Sequence, residues 1–466
     1  MQIEQVVAEA LGSMAVEERP DACLWLGLSA GVDSTVLLHA AAQFCSSKNF
    51  VAAGKKLKAI HVHHGLSENA DAWAIHAQAL CQELSLKFSI TIDCMVEKVE
   101  LDNRTDGLEQ AARSARYQIF SKYCGPNDVL LQGHHLDDQI ETFFMRAIRG
   151  SGLKGLSSIP SQRSLSRNNS CQILRPFLSL EKSALIQYAQ QHQLTWVEDE
   201  SNQDSNFERN WWRNEILPQI WQYYGNKKQS LLRTVQNLQQ EQALLFDFIQ
   251  RDLIDENIES DRLSFVEQVL ASFPSIAIDV LPKRFEIPYL RAWLSQSVDI
   301  LPSAEQMKAI CSDVIAASSD ADPSFIWSDK MLRRYRGHLY LIPHTLSLDS
   351  LFAVEYHCAK NKPEVITDYS EELVAKDYIL RSFQPGDQIK LAKRPNRKLK
   401  KYWQELGVPS WLRSIWPLLI DPDSGQVVLV FGLLVAEGVK VSGSIAGDAE
   451  RCHCDIKIKL PRVMMD

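Results

Sequence analysis

Short apolar runs alternate with stretches of helical periodicity along the first third of the chain. Residues 22–28 (ACLWLGL) form an apolar run closed by a turn, which predicts a buried strand, and 35–44 (TVLLHAAAQF) then place apolar residues at helical spacing. Runs at 57–62 and 88–92 predict two more strands, with an amphipathic helix over 72–84 between them. A helix over 107–123, a strand over 128–132 and a helix over 137–148 follow, and 181–192 with 195–197 add one more helix and strand. Alternation of this kind predicts an α/β fold: a doubly wound parallel sheet with helices on both faces.

Past Pro218 the pattern changes. Residues 230–253 repeat apolar positions at helical spacing among many Gln and Glu, and no strand of comparable quality appears until about residue 325. From about 351 the chain is strand-rich, with runs at 378–383, 427–431 and 454–460 separated by Gly, Pro and Asp. The expected organisation is a catalytic α/β domain over 1–221, a mainly helical domain over 222–349, and a small α+β domain over 350–466.

Composition narrows the classes of function. Over 466 residues, 45% hydrophobic and 23% charged content fits globular domains, and a net charge of −8 excludes a uniformly basic nucleic-acid binder while leaving room for a local basic patch. The opening MQIEQVVAEALG has no basic segment of the secretory kind, and the longest apolar run, 427–436, is about half a membrane span. Ten cysteines without paired spacing point to reduced thiols and a cytoplasmic location. Cys452-His453-Cys454 lacks the second half of a zinc site.

The chemistry concentrates where predicted strands end. Ser29-Ala30-Gly31-Val32-Asp33-Ser34 lies between the first strand and its helix, where backbone N–H groups and the positive helix end face an anion. The Ser29 and Ser34 hydroxyls can donate to phosphate oxygens. Asp33 would repel bare phosphate, so its presence implies magnesium bridging carboxylate and phosphate. A methyl at Ala30 is tolerable at negative φ. His61-Val62-His63-His64 follows the second strand, where side chains alternate in direction, making a three-histidine metal site geometrically poor. In Gly133-His134-His135-Leu136-Asp137-Asp138-Gln139-Ile140-Glu141, the acids Asp137 and Glu141 share a helix face near its start. Asp137 is the candidate second magnesium-side carboxylate and His134 a candidate contact to nucleotide or substrate. Arg113 and Arg116, three apart on one helix, can clamp phosphate bidentately.

The loop resembles the SGGxDS signature of the PP-loop ATP-pyrophosphatases, with Ala30 in place of one of its two glycines. Taken with AIHVHHGLSENADAWA, LEQAARSARY, GHHLDDQIETFFMRAIRGSGLKGLSSIP, LRPFL and WVEDESN, the chain resembles the tRNA(Ile)-lysidine synthetases in their three-domain form. The RNRxR run of that family is interrupted here, with Trp211 between Arg209 and Arg213. The resemblance implies ATP held by Ser29, Ala30, Gly31, Val32, Asp33 and Ser34, magnesium on Asp33 and Asp137, and catalytic roles for Asp33, Asp137, His134 and Arg113. It also implies adenylation of the wobble cytidine of a CAU-anticodon isoleucine tRNA, attack by free lysine, and release of AMP and pyrophosphate. Asp137, Glu141 and His134 are alternative groups for deprotonating the lysine amine. Family precedent allows a homodimer.

For tRNA, the expected contacts are Arg209, Arg213, Lys398, Lys400, Lys401 and Arg413. Seven basic residues and no acid lie between Gln388 and Tyr402, an island in an acidic protein that suits a phosphate backbone. No CxxC pair occurs, which speaks against the thiolases that activate a tRNA base in the same way.

Overall fold

In the computed structural model, the described residues are 3–14, 19, 22–47, 50, 56–65, 67–99, 108–166, 169–200, 204, 207–254, 264–298, 300–318, 321–347, 353–357, 379–437 and 455–459. The chain divides into two compact units, residues 1–245 and 246–466.

The first unit is built on a six-stranded sheet in the order β3-β2-β1-β4-β6-β5. Its elements are α1 (Ile3–Ser13), β1 (Cys23–Gly27), α2 (Val32–Cys45), β2 (Lys56–His63), α3 (Ala70–Phe88), β3 (Ile92–Lys98), α4 (Leu108–Tyr123), β4 (Val129–Leu131), α5 (Leu136–Ile148), β5 (Gln162–Ser164), β6 (Gln172–Leu174) and α6 (Lys182–Gln191). β1 pairs in parallel with both β2 and β4, and only the edge strand β5 runs antiparallel. Helices cover both faces, so Leu24, Leu26, Leu130 and Leu131 are completely buried and the strands read as continuous apolar runs. α2 is buried on nearly every side, from Val36 to Ala42, which is why its polar face is so weak in the sequence.

Strand order places the functional loops. The chain moves outward one way through β2 and β3, then returns to the other side of β1 through β4 and β6. The turns after β1 and β4 therefore diverge at the topological switch point, where such sheets open a crevice at their carboxyl edge.

Three expectations need correction. The strand expected over 88–92 begins only at Ile92: α3 runs on to Phe88, whose ring packs against the core, and Ser89 closes the helix with φ 55°. Residues 195–197 are not a strand, although Val197 N–H donates to Ala30 O at 2.9 Å. The three-residue strands β5 and β6 were not expected, being too short for periodicity to register.

A helical run over 208–224 and α7 (Lys228–Ile254) follow. In the second unit, α8 (Phe265–Ala271), β7 (Ser275–Ala277), α9 (Glu286–Leu294) and α10 (Ala304–Ala309) precede β8 (Ser324–Trp327), β9 (Lys330–Tyr335) and β10 (His338–Pro343). These strands form an antiparallel sheet in the order β7-β10-β9-β8, so β7 supplies a strand well before residue 325. Farther along are β11 (Ala353–His357), β12 (Ile379–Ser382), β13 (Gln388–Ile389), β14 (Arg397–Lys398), α11 (Leu399–Glu405), α12 (Ser410–Arg413), β15 (Pro417–Ile420), β16 (Val427–Val430), β17 (Leu434–Val435) and β18 (Asp455–Lys459). Trp403 and Trp416 are buried in the core of this part, and Phe431 is buried as well. Cys452-His453-Cys454 lies outside the described residues. Among the described residues no helix is long and apolar enough to cross a membrane.

Candidate active site

The turn after β1 is wrapped around two serines. Ser29 Oγ lies 3.1 Å from Ser34 Oγ, Gly31 N–H donates to Ser29 Oγ at 3.4 Å, and Ser34 Oγ donates to Gly31 O at 3.1 Å. Ser29, Asp33 and Ser34 face a cleft of about 760 Å³, within the range of small-molecule sites. Ala30 and Val32 are buried beneath the loop. Ala30 has φ 67°, so the condition of negative φ is not met: the methyl sits in the left-handed region that glycine occupies without strain. From the other side the turn after β4 presses in. A Cβ on Gly133 would meet the Asp33 backbone at 3.1 Å, so any larger residue would press the two turns apart by a few tenths of an ångström.

The three histidines after β2 have separate surroundings. His61 Nδ1 lies 2.9 Å from Leu28 O, and His63 Nε2 lies 3.2 Å from Asp71 Oδ1. Both ring nitrogens of His64 are buried without a hydrogen-bond partner. Burial, with help from Arg116, lowers the His64 pKa to about 4. His134 behaves alike across the cleft: burial lowers it to about 3 against the pull of Asp138, and its Nδ1 has no partner. Two neutral imidazoles with open nitrogens thus flank the space above the loop.

His135 is the opposite case. It is 2% exposed, with Nε2 3.6 Å from both Asp33 Oδ2 and Asp138 Oδ2, and Nδ1 3.6 Å from Asp137 Oδ2. Burial works against its charge, but Asp138, Asp33 and Asp137 outweigh burial and raise its pKa. It therefore links the phosphate loop to the start of α5, and the three carboxylates favour its protonated form.

The acids of α5 are distributed differently from their helical spacing. Asp137 does not line the cleft. Its Oδ1 accepts from Lys228 Nζ at 2.5 Å and its Oδ2 from Lys182 N–H at 3.0 Å. Asp138 does line the cleft, and His135 and Arg209 hold it well below the usual carboxylate range despite burial. Arg209 and Arg213, read as RNA contacts, turn inward to Glu141 and Asp138, and Trp211 between them is 42% exposed. Arg116 lines the cleft, whereas Arg113 lies over the Tyr117 ring at 5.0 Å. Asp199 and Glu200, within the WVEDESN stretch, complete the rim; the sequence assigned them no role.

Among the described residues no group of three His, Cys, Asp or Glu side chains could hold a metal by itself. The fit for magnesium is of another kind: Asp33 Oδ1 is a buried oxygen without a partner, facing the cleft. One such carboxylate plus substrate phosphates is how this ion is usually held.

In the second unit, Lys398, Lys400 and Lys401 are exposed at the start of α11. Two other members of the island have acidic partners, Lys390 with Glu437 at 2.8 Å and Arg397 with Glu405 at 3.6 Å. Arg413 is half-buried and donates Nε to Val408 O at 2.9 Å.

Comparison with known proteins covers most of the chain. Residues 2–220 match the PP-loop domain, 289–340 the TilS substrate binding domain, and 379–450 the TilS substrate C-terminal domain. The tRNA(Ile)-lysidine synthase of Haemophilus influenzae strain PittGG is 36% identical over 419 residues, covering 84% of this chain and 91% of that protein. The enzymes of the same name from Vibrio atlanticus (35% over 440 residues, 88% and 92%) and Serratia proteamaculans (33% over 427, 89% and 92%) are similarly related. Identity at this level over nearly full length, with a phosphate loop at the switch point of its sheet, places the chain in the tRNA(Ile)-lysidine synthase family.

Proposed function

We propose that the protein ligates free lysine to the wobble cytidine of a CAU-anticodon isoleucine tRNA, with ATP split to AMP and pyrophosphate. The observation that carries this reading is the junction of two turns at the switch point. There Ser29, Ser34 and the unpartnered Asp33 oxygen face a cleft also lined by neutral His64 and His134. The loop and the helix end behind it bind the polyphosphate, and the cytidine carbonyl oxygen attacks the α-phosphorus as pyrophosphate leaves. When bound, magnesium on Asp33 neutralises charge on the departing phosphates.

Lysine must then attack as a neutral amine, although its free pKa is about 10.4. His134, protonated only near pH 3, serves as a hydrogen-bonding group and not as the base. Glu141 and Asp137 have oxygens already committed to arginine and lysine. His135 orients Asp33, and Arg209 with Arg213 steadies Asp138. Residues 1–221 carry catalysis in this reading, and 222–349 and 350–466 hold the tRNA, with Lys398, Lys400 and Lys401 on its backbone.

The test is incubation of purified protein with ATP, magnesium, labelled lysine and that tRNA. Lysine incorporated in step with AMP supports the ligase. ADP in place of AMP, or AMP without incorporation, overturns it.

A further inference from the structure

On the α4 side of the cleft, three guanidinium groups converge on one phenol. The Cζ atoms of Arg113 and Arg163 lie 5.0 and 4.9 Å from the centre of the Tyr117 ring. Arg113 Nη2 and Arg175 Nη2 lie 3.4 and 3.5 Å from Tyr117 Oη. The three arginines come from α4, β5 and the turn after β6, so the fold gathers them, not the spacing of one helix.

Their partners are weak acceptors. Arg175 is 3% exposed and donates Nε to Gln132 Oε1 at 3.1 Å and Nη1 to Pro160 O at 2.8 Å. Arg163 Nη1 lies 3.5 Å from Ser164 O. The acceptors are thus a phenol, an amide and main-chain carbonyls, with no carboxylate among the described residues. Burying a guanidinium without a counter-charge is costly, and three like charges around one point add repulsion. The phenol reports that field: burial works to raise it, yet Arg113, Arg163 and Arg175 bring it down to about 8. The cluster also adjoins the cleft, because Gln132, which accepts from Arg175, is a cleft-lining residue.

We propose that Arg113, Arg163 and Arg175, arranged around Tyr117, form a phosphate-binding site beside the cleft that takes an oxyanion of a substrate. Guanidinium forks match phosphate oxygens in pairs, and an arriving anion supplies the charge the cluster lacks. The phosphate comes either from the RNA backbone next to the target base or from the nucleotide. Only this choice of source rests on the ligase reading.

The test variant is Arg163→Gln, at a half-buried position, with Arg163→Lys to restore charge without the fork. Binding of unmodified tRNA is measured without ATP across a salt series, and ATP binding without tRNA. Loss of tRNA affinity by about tenfold, with the salt slope reduced by about one, assigns RNA phosphate. A comparable loss confined to ATP assigns the nucleotide. In either case Arg163→Lys recovers part of the loss. Unchanged affinity for both in a variant that melts like the parent overturns the site. Should Arg163→Gln not fold, phenol titration of the unaltered protein decides, with Tyr117→Phe as the spectral blank. Inorganic phosphate moves the Tyr117 titration upward if the site binds it, and leaves it in place if the proposal is wrong. These readouts stand even if no lysidine forms, so failure of the reaction and failure of the site remain distinct.

Discussion

Glu141, wholly buried on α5, receives two guanidinium groups at once. Arg213 donates Nε to Oε1 at 2.6 Å and Nη2 to Oε2 at 3.0 Å, while Arg209 donates Nε to Oε2 at 2.7 Å. The helical run over 208–224 is thereby pinned to the helix that carries Asp138. Removing the carboxylate leaves two partly buried cations sharing Asp138. Glu141→Ala is expected to cost about 3–5 kcal/mol in urea unfolding, the scale for breaking a buried pair from one side. A loss below about 1 kcal/mol would reduce these contacts to the level of surface bridges.

The centre of the sheet and the phosphate loop were legible because the buried parallel strands β1 and β4 leave short apolar runs, followed by the turns at 29–34 and 133–138. What could not be read was which neighbour each side chain meets. Asp137 and Asp138 are adjacent, but the lysine that occupies Asp137 lies 91 residues away, on α7. Arg116 lines the cleft while Arg113 lies over Tyr117, a parting that their spacing of three does not reveal. Phe88 misled because an aromatic that ends a helix looks like one that begins a strand.

Ala30 gives a direct test of strain in the loop. An L-residue with φ 67° is strained by roughly 1–2 kcal/mol relative to glycine, which loses roughly 0.5–1 kcal/mol through its freer unfolded chain. Ala30→Gly should therefore leave stability unchanged or raise it by up to about 1.5 kcal/mol, whereas β-branched Ala30→Val should lower it by about 2 kcal/mol or more. Thermal melting of both variants decides, and a clear loss in Ala30→Gly contradicts the left-handed conformation.

Acid sensitivity should follow the buried histidines. His39 is 1% exposed, with Nδ1 2.9 Å from Tyr188 Oη and Nε2 3.0 Å from Lys87 Nζ. Burial, then Lys87 and His192, lowers its pKa from 6.5 to about 4. A lowered folded value means the unfolded chain binds the proton first, so its contribution is complete above pH 6.5 and is lost as pH falls toward about 4. His39→Gln should flatten that limb of a urea-midpoint profile. His135, raised by its carboxylates, has the opposite sign: its contribution is present below 6.5 and is lost as pH rises through the folded value. An unaltered acid limb in His39→Gln would remove the assignment.

Asp33 and Asp137 should separate in their effects. Asp33→Asn removes the cleft-facing carboxylate and should abolish AMP formation with tRNA affinity nearly intact. Asp137→Asn loses its pairing with Lys228 and should lower the melting temperature more than it lowers turnover measured well below that temperature. Equal loss of turnover in two equally stable variants would return Asp137 to the reaction.

The basic island makes its prediction through salt. Lys398, Lys400 and Lys401 are exposed side by side where α11 begins, while Lys390 and Arg397 of the same stretch already face Glu437 and Glu405. Each phosphate neutralised by a lysine releases a bound counterion, so its loss reduces the dependence of affinity on salt as well as affinity itself. Replacing the three lysines with glutamate should weaken tRNA binding and lower the slope of log affinity against log salt by roughly two to three. ATP affinity measured without tRNA should not move, because none of the described residues lining the cleft after β1 belongs to the island. A triple variant with weaker binding but an unchanged slope would mean the lysines act on the fold of the second unit and touch no phosphate.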